Sequence, residues 1–507
     1  MAALGFVRGG EAAAGLDRSL AALILFWDAP GAEIAIRRGP VESPDFPGKN
    51  GIVSSLEVRG SKGSVRFFTL GKGDQNEIAQ SHRQLMMREG EQRSLRMKTE
   101  DREALRSLLG AAVLRPEIAA RAADGAPRLA RSFSDVGALA ERFRKVLEID
   151  QALFLLDGWS ARAAGESAGT DSACDPAKRA GGDEGLLALS KRVRELGFLF
   201  GLVAECPEDL PGSLARLKER AAPDLLLYRA PSGLTPKEPA AGEDSLGERI
   251  RNDIGIAATD GAGEGWVRGF GYLEGLLSHK ALRPLDPVFP LFAFSYGNAA
   301  RITVRPEDAV EPGEPEKVLA HLILGEVPLY ALPPERGADV EAPPGDPRFT
   351  FARSDGGWTE GKGLSARERF IKNTYEVLSH VARIRFRAPL LFHRYLTPDR
   401  TVEETYFGPD LRVVVNYGER EYKDQEGDFT LPRFGFWVQH PFFHAFFATR
   451  AHGVDYEKPA LFTVRSLEGK LYLRAEAVRI YHGFGPTRIQ LGGREFDIQR
   501  EQQVKIW

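Results

Sequence analysis

"SDVGALAERFRKVLEIDQALFLLDGW", residues Ser134–Trp159, joins an amphipathic segment to a short apolar run. The apolar side chains of the first part recur at helical spacing: Val136, Leu139, Phe143 and Val146. Ser134 is placed to cap the start of that helix. The run "ALFLLDGW" is continuously apolar until it reaches an aspartate, as is typical of a buried parallel strand. The stretch therefore predicts one helix-then-strand unit of an α/β fold.

The same alternation continues from about Ser107 to Phe386. Predicted strands are "SLLGAAVLR", "ALFLLDGW", "GFLFGLVAEC", "DLLLYRA", "IGIAATD" and "PLFAFSY". Predicted helices after the first include "EGLLALSKRVREL", "GSLARLKERA", "EDSLGERIRND", "WVRGFGYLEGLLSHK", "PEKVLAHLILG" and "RERFIKNTYEVLSHVARI". Roughly seven or eight units over about 280 residues match a (β/α)₈ TIM barrel. A doubly wound sheet is the alternative, but no early strand is followed by G-x-G-x-x-G.

The two ends of the chain have a different pattern. Up to about Phe68, short apolar runs are separated by Gly, Pro and Asp, which predicts strands and hairpins. After about Arg387 the helical periodicity stops, and strands with turns predict an all-β region. We expect three domains: an N-terminal β-sandwich portion with a linking helix (1–100), the barrel (101–386) and a C-terminal β-sandwich (387–507).

Composition limits the classes of partner. The 68 basic and 71 acidic residues leave a net charge of −3, so charge gives no reason to expect a nucleic acid or an anionic membrane. The early apolar run "LAALILFW" (Leu20–Trp27) is too short to span a bilayer. We expect a buried strand there rather than a signal-peptide core. The compartment stays open, with the cytoplasm slightly favoured, and so does the oligomeric state.

Motifs for cofactors and metals are weak. "HPFFH" (His440 to His444) lacks the glutamate of HExxH and lies in a strand-rich region, so aromatic core packing is the expected role. "LGKGDQNE" has no G-K-[ST] and does not form a P-loop. Two cysteines cannot form a disulfide framework or a Cys-rich metal site. We therefore expect neither a cofactor nor a metal.

The carboxyl ends of the predicted strands carry the candidate site, because barrels keep their reacting groups there. The candidate catalytic carboxylates are Asp157, Glu205, Asp260 and Glu264. The candidate substrate-binding side chains are Trp159, Tyr228, Arg229, Trp266, Tyr296 and Asn298. Each carboxylate alone could instead cap a helix or close a turn. As a set, carboxylates with aromatic neighbours indicate glycoside hydrolysis, which needs a proton donor and a second carboxylate across the scissile bond.

Several stretches also resemble a bacterial group of glycoside-hydrolase-like proteins. They include "GDQNEIAQSHRQLMMREG", "FLLDGW", "AGGDEGLLALSKRVRELGFLFGL", "GYLEGLLSHK", "PLFAFSYGNAARI" and "HLILGEVPLYAL". That group is similar to the endo-α-N-acetylgalactosaminidases of glycoside hydrolase family 101, and the resemblance runs from about Gly71 to the C-terminus. It implies an N-terminal sandwich of galactose-mutarotase type, a catalytic barrel and a C-terminal sandwich.

The family pattern implies an aspartate nucleophile on the fourth strand and a glutamate acid/base on the fifth. Here the fifth-strand position falls on Asp260, or alternatively Glu264. The third strand reads "VAECPED", with Glu205 where the family has a His-Asp pair. The fourth reads "LLLYRAP", so Arg229 stands near its end and no carboxylate follows until Glu238. The fourth-strand nucleophile is therefore missing.

Three hypotheses follow. The first is a retaining glycosidase for α-linked sugars, with Asp260 as acid/base helped by Glu264, Asp157 or Glu205 as nucleophile, and Trp159, Trp266 and Tyr296 stacking on sugar rings. The second is a degenerate relative that binds a glycan or a protein without turnover, since Arg229 would favour an anionic ligand. The third is an α/β enzyme of another class, such as an isomerase or aldolase, for which no strand-end lysine or metal cluster is apparent. Carbohydrate is the expected partner.

Overall fold

The fold is that of a computed structural model. It describes residues 2–8, 20–27, 33–42, 50–59, 64–72, 75–88, 93–100, 102–121, 126–166, 174–205, 210–229, 246–260, 270–274, 291–333, 342–343, 345–467, 469 and 471–506. None of the helices in these ranges combines the length and the apolar content needed to cross a bilayer.

The chain forms two compact units, of which the first ends at Arg88. Its elements are β1 (Ala2–Arg8), β2 (Leu20–Trp27), β3 (Glu33–Glu42), β4 (Asn50–Arg59), β5 (Ser64–Lys72) and α1 (Gln75–Arg88). β2 pairs antiparallel with both β1 and β5, and β3 pairs with β4. The strand expected at Leu20–Trp27 is therefore confirmed.

The second unit begins with helices and a curled parallel sheet. Its first elements are α2 (Leu95–Glu100), α3 (Glu103–Leu108), β6 (Ala112–Pro116), β7 (Ala119–Arg121), β8 (Pro127–Leu129), α4 (Phe133–Lys145), β9 (Ala152–Leu156), α5 (Gly182–Glu195), β10 (Leu199–Glu205), α6 (Leu210–Arg220), β11 (Leu225–Arg229), α7 (Leu246–Asp253) and β12 (Ile256–Asp260). They continue with β13 (Tyr272–Glu274), α8 (Leu291–Tyr296), β14 (Arg301–Ile302), α9 (Pro315–Leu324), β15 (Leu329–Leu332) and α10 (Ala366–Arg385).

The parallel sheet follows the order of the chain. Within the described ranges its eight strands run β15-β6-β9-β10-β11-β12-β13-β14, so the last strand lies beside the first. A doubly wound sheet reverses its strand order partway through the chain, and that alternative is therefore wrong. The curled sheet is consistent with a TIM-like barrel.

The opening stretch forms the unit it predicts, with one shift. Helix α4 begins two residues earlier than expected, since Ser132 rather than Ser134 is its N-cap. The Ser132 hydroxyl accepts from the Asp135 backbone N–H at 3.2 Å, and the Asp135 carboxylate accepts from the Ser132 N–H at 2.9 Å. This reciprocal capping box satisfies two of the donors that a helix start leaves unpaired. Phe143 then packs edge-on against Phe154 of β9, with ring centroids 6.2 Å apart.

Two expected elements are wrong. The predicted helix "WVRGFGYLEGLLSHK" contains strand β13, and the predicted strand "PLFAFSY" contains helix α8. Both runs are short and apolar, and periodicity does not distinguish a buried strand from a buried helix in such runs. A Cβ on Gly271, the residue directly before β13, would approach Leu105 Cδ1 to 2.8 Å. β13 is the sixth strand of the parallel sheet along the chain when β6 is counted as the first, and it ends in Glu274.

The C-terminal region is a large antiparallel sheet. Its strands are β16 (Leu390–Tyr395), β17 (Val402–Phe407), β18 (Leu411–Asn416), β19 (Tyr422–Lys423), β20 (Phe429–Leu431), β21 (Phe436–His440), β22 (Phe443–Ala451), β23 (Val454–Ser466), β24 (Val478–Phe484) and β27 (Glu501–Val504). Before β27, β25 (Arg488–Leu491) and β26 (Arg494–Asp497) pair with each other as a separate two-stranded sheet. Eight of the described strands form the main path β16-β17-β18-β21-β22-β23-β24-β27. This sheet is consistent with a β-sandwich, while the expected domain boundaries stay predictions.

The two faces of this sheet bury different partners. One face contacts α10, where the Tyr481 hydroxyl donates to Asn373 Oδ1 at 2.7 Å. The other face carries an apolar core that includes Val414, Trp437 and Phe446. Alternation of side chains along each strand produces this separation.

Candidate functional site

Charged side chains meet at the carboxyl ends of neighbouring strands of the parallel sheet. Arg115 lies on β6, Asp157 directly follows β9, Arg229 ends β11, Asp260 ends β12 and Glu274 ends β13. We call these five residues the strand-end cluster. Because parallel strands bring their carboxyl ends to one edge of the sheet, residues distant in sequence become neighbours there.

Arg115 links Asp157 and Glu274 on the buried side of the strand-end cluster. Its Nη2 lies 2.7 Å from Asp157 Oδ2, and its Nη1 lies 2.5 Å from Glu274 Oε2. Arg115 and Glu274 are buried, with only 1% of the Glu274 side chain exposed. Burial alone would lower the pKa of Arg115, but Glu274 and Asp157 together raise it above its ordinary value. The guanidinium thus stays charged and holds two carboxylates in place.

Arg229 links Asp157 and Asp260 on the solvent-exposed side of the strand-end cluster. Its Nη2 is 3.2 Å from Asp157 Oδ2 and its Nε is 3.3 Å from Asp260 Oδ2. The side chains of Arg229 and Asp260 are 30% and 26% exposed. Since one planar guanidinium spans both contacts, the two carboxylate oxygens lie within roughly 9 Å of each other. That limit is compatible with the carboxylate separations of glycosidases, about 5 to 9.5 Å.

The surroundings of Asp157 and Glu274 shift the pKa values of these two carboxyl groups in opposite directions. Burial raises the pKa of Asp157, but Arg115 and Arg229 outweigh it and lower the pKa to about 2. Burial raises the pKa of Glu274 above its ordinary value, although Arg115 and Arg229 oppose that shift. The pKa values of the two carboxyl groups thus move in opposite directions although both contact Arg115, because Asp157 also contacts Arg229.

A tight turn orients Asp157. Gly158 has φ of +65°, and a Cβ at this position would lie 2.3 Å from the Ala119 carbonyl oxygen. Asp157 Oδ1 accepts from the Gly158 backbone N–H at 2.9 Å, which leaves Oδ2 directed at the two arginines. The glycine is therefore needed where the chain leaves β9.

Some residues predicted from the sequence come together and others do not. Asp157, Arg229 and Asp260 belong to the cluster. Tyr228 is half-buried beside Arg229. Strand alternation directs the Tyr228 side chain to the opposite face of β11. Glu205 ends β10, but its side chain lies outside the described structure, and Glu264 and Trp266 lie outside the described residues altogether.

Two aromatic residues expected to stack on sugar are core residues instead. Trp159 is 1% exposed, and its indole N–H donates to the Val203 carbonyl at 2.7 Å. Tyr296 is 2% exposed and lies in helix α8. Asn298 follows that helix and so does not stand at a strand end. The prediction of Tyr296 and Asn298 as site residues depends on a strand at "PLFAFSY", and that stretch contains helix α8 instead.

Arg115 and Glu274 were not predicted. Arg115 is the last residue of the predicted strand "SLLGAAVLR", so the strand-end rule points to it once cations are considered together with carboxylates. Glu274 was hidden because its strand has only three residues and lay inside a predicted helix.

The cluster is poorly suited to a cation, since its carboxylates already contact guanidinium groups. Across the described ranges, one group of three carboxylates has ligand atoms within 4.8 Å of one another: Asp424, Glu426 and Asp428. Two of these three are exposed, and such acidic loops are common without an ion.

Comparison with known proteins gives a structural likeness but no sequence relative. No protein-family model and no curated protein matches the chain. The fold is similar to that of the alpha-N-acetylgalactosaminidase NagBb from Bifidobacterium bifidum in complex with GalNAc, with a TM-score of 0.56 and 14% identity over 78% of this chain and 70% of that one. For the ligand-free form the TM-score is 0.55 and the identity 15%, over 78% and 71% of the two chains. The protein therefore has a glycoside-hydrolase-like fold.

Proposed function

We propose that the chain is a glycoside hydrolase-like enzyme that cleaves α-linked sugars at the strand-end cluster. The observation that carries the proposal is the contact of Arg229 with both Asp157 and Asp260, which holds two carboxylates at one edge of the parallel sheet within the separation that glycosidases use. The glycoside-hydrolase-like fold and the resemblance to family 101 support the same reaction class.

Asp157 is assigned as the nucleophile, in place of the missing fourth-strand aspartate. Its lowered pKa keeps it ionised in neutral solution, as attack on an anomeric carbon requires. Asp260 is assigned as the acid/base, because it ends the fifth strand, where the resemblance to family 101 places that role, and its side chain is partly exposed. It gives its proton to the leaving oxygen as the glycosidic bond breaks and the Asp157 oxygen bonds to the anomeric carbon. Water then attacks the anomeric carbon, gives a proton back to Asp260, and displaces Asp157 to release the sugar. Arg229, which spans the two, donates hydrogen bonds to sugar hydroxyls as substrate enters.

The test is a screen of aryl α-glycosides, starting with p-nitrophenyl α-N-acetylgalactosaminide because the structural neighbour is an alpha-N-acetylgalactosaminidase. We expect turnover by the parent protein and a loss of kcat of roughly 100-fold or more in Asp157→Asn and Asp260→Asn. Asp455→Asn, which changes an exposed carboxylate on the C-terminal sheet, is the matched control and should keep full activity. Turnover unaffected by both cluster variants would overturn the assignment.

A non-catalytic binder is the second candidate, and a specific observation favours it. Arg229 stands at the end of the fourth strand and pairs with Asp157 and Asp260, so the carboxylates are already compensated by charge. A guanidinium there suits an anionic sugar through bidentate pairing. Absence of turnover on every substrate, with glycan binding that survives Asp260→Asn and is lost in Arg229→Ala, would favour this candidate over the enzyme.

A further inference from the structure

A cavity of about 970 Å³ opens on the C-terminal sheet, well separated in sequence from the strand-end cluster. Tyr406, Arg412 and Gln439 form its floor, on β17, β18 and β21. The strand register places Tyr406 opposite Arg412 and Arg412 opposite Gln439. Tyr422 and the segment Tyr472–Arg474 contribute to its walls. We call this cavity the sheet groove.

The floor of the groove continues the face of the sheet that carries the apolar core. Because side chains alternate along a strand, Tyr406 shares its face with Val402, and Gln439 shares its face with Trp437. Val402 and Trp437 belong to the buried core of the sheet. A row of polar side chains on a core-facing surface would be costly if it were covered by apolar groups. The row therefore lies where this face leaves the apolar core and is open to solvent or to a polar ligand.

A buried carboxylate fixes the cations of the groove. Glu404 is completely buried and accepts from Arg394 Nε at 2.5 Å and from Arg412 Nε at 2.8 Å. Arg412 Nη2 also lies 3.6 Å from Asp424 Oδ1. Burying a carboxylate is expensive unless charged hydrogen bonds compensate it. The arrangement holds two guanidinium groups in set orientations at the groove, as a binding site for a hydroxylated ligand requires.

The charges of the groove balance. Its lining holds three arginines (Arg394, Arg412 and Arg474) and three carboxylates (Asp410, Asp424 and Glu426). Burial lowers the pKa of His440, which also lines the groove, so this side chain is neutral near pH 7. A lining with equal numbers of positively and negatively charged side chains suits a neutral, hydroxyl-rich molecule better than a polyanion. The tyrosine rings add apolar surface for the faces of sugar rings.

We propose that the sheet groove binds a neutral oligosaccharide, as a second carbohydrate site separate from the strand-end cluster. The cavity is at the upper end of the range for small-molecule pockets, about 300 to 1,000 Å³, which fits a short chain of sugars. The inference rests on the groove's own residues and does not require the strand-end cluster to be catalytic.

The test begins with the full-length protein on an array of neutral, sialylated and sulfated glycans. Titration calorimetry with the best neutral glycan then compares the parent with Gln439→Ala and Arg474→Ala, which change exposed side chains and carry little risk of misfolding. We expect the Kd to rise roughly tenfold in each variant. Arg450→Ala, an exposed arginine outside the groove lining, is the matched control and should bind as the parent does.

Asp157→Asn separates the two sites, because it should abolish turnover and leave the calorimetric affinity for the neutral glycan unchanged. The proposal is overturned by binding to acidic glycans alone, by no glycan binding at millimolar concentration, or by affinity lost in Asp157→Asn but kept in both groove variants. Melting temperatures of all variants show whether a loss of binding follows from unfolding.

Discussion

Arg115 holds two carboxylates that lose much of their hydration inside the sheet. The guanidinium contacts Asp157 and Glu274 through different nitrogens, so it satisfies both at once. A buried ion pair of this kind adds little net stability compared with apolar packing, but removal of one partner leaves an uncompensated charge. Loss of Arg115 should therefore lower the free energy of unfolding more than loss of an exposed charged side chain does.

We predict that Arg115→Ala lowers the free energy of unfolding by roughly 3–5 kcal/mol, measured by urea denaturation at pH 7. The control Arg450→Ala removes an arginine from an exposed pair with Asp455 and should change stability by less than about 1 kcal/mol. Equal effects of the two substitutions would show that the buried cluster is not held by charge.

Ionisation of Asp157 makes the free energy of unfolding depend on pH in acidic solution. Its pKa falls from about 3.8 in the unfolded chain to about 2 in the fold, so the ionised form is stabilised. That contribution is present above pH 3.8 and is lost as the pH falls through 2. We predict that Asp157→Asn is less stable than the parent by about 2 kcal/mol at pH 7, since each pKa unit corresponds to about 1.4 kcal/mol.

The difference between Asp157→Asn and the parent should shrink between pH 4 and pH 2, which thermal unfolding at a series of pH values would measure. A difference that stays constant across this interval would assign the effect to packing rather than to ionisation. Asp455→Asn, on the exposed surface, serves as the control for the substitution itself.

At the scale of the elements, the turn after β9 directs a catalytic candidate into the site. Gly158 and Gly182 both have left-handed backbone, with φ of +65° and +62°. Their surroundings differ, since a Cβ on Gly158 would meet the Ala119 carbonyl oxygen and one on Gly182 would meet nothing within 4 Å. Alanine substitutions at these two glycines therefore distinguish the cost of left-handed backbone alone from the added cost of a steric collision.

We predict that Gly182→Ala costs about 1 kcal/mol, because alanine is disfavoured in the left-handed region. Gly158→Ala should cost roughly 3 kcal/mol or more, since it adds a collision with backbone that cannot move freely. Chemical denaturation measures both. Similar losses would mean that the turn relaxes, and the activity of Gly158→Ala would then report whether Asp157 keeps its orientation.

Sequence pattern predicts most elements of the parallel sheet and misses its shortest strands. Helix α4 and strands β9 and β12 formed where periodicity and apolar runs indicated, with Ser132 in place of Ser134 as the cap. β13 has three residues, and β14 has two. Such strands form because their neighbours in the sheet supply the hydrogen bonds, and nothing within three residues encodes that pairing.

At the scale of the whole molecule, helix α10 contacts both the parallel sheet and the C-terminal sheet. The Tyr375 hydroxyl accepts from the Gln151 N–H before β9 at 2.9 Å. On the other side, Glu376 accepts from Arg479 of β24 at 2.7 Å and from Lys372 of the same helix at 2.7 Å. Burial would raise the pKa of Glu376, but the two cations hold it well below its ordinary value.

We predict that Arg479→Met lowers the free energy of unfolding by about 3 kcal/mol, because Glu376 then keeps only Lys372. Hydrogen exchange followed by mass spectrometry should show faster exchange in both α10 and β24. Arg488→Met, at an exposed and distant pair with Glu495, should leave both elements unchanged. Faster exchange in β24 alone would contradict a coupling through the helix.

The sequence by itself determined most of the alternation of strands and helices, the all-β character of the C-terminal region and three members of the strand-end cluster, Asp157, Arg229 and Asp260. These follow from local periodicity and from the rule that strands end at the site, which need only neighbours in the chain. Tertiary structure decided that Arg115 and Glu274 complete the cluster and that Trp159 and Tyr296 are buried. The physical reason is that burial and charge pairing depend on which strand ends meet in space, and sheet order and register set those meetings across more than a hundred residues of chain.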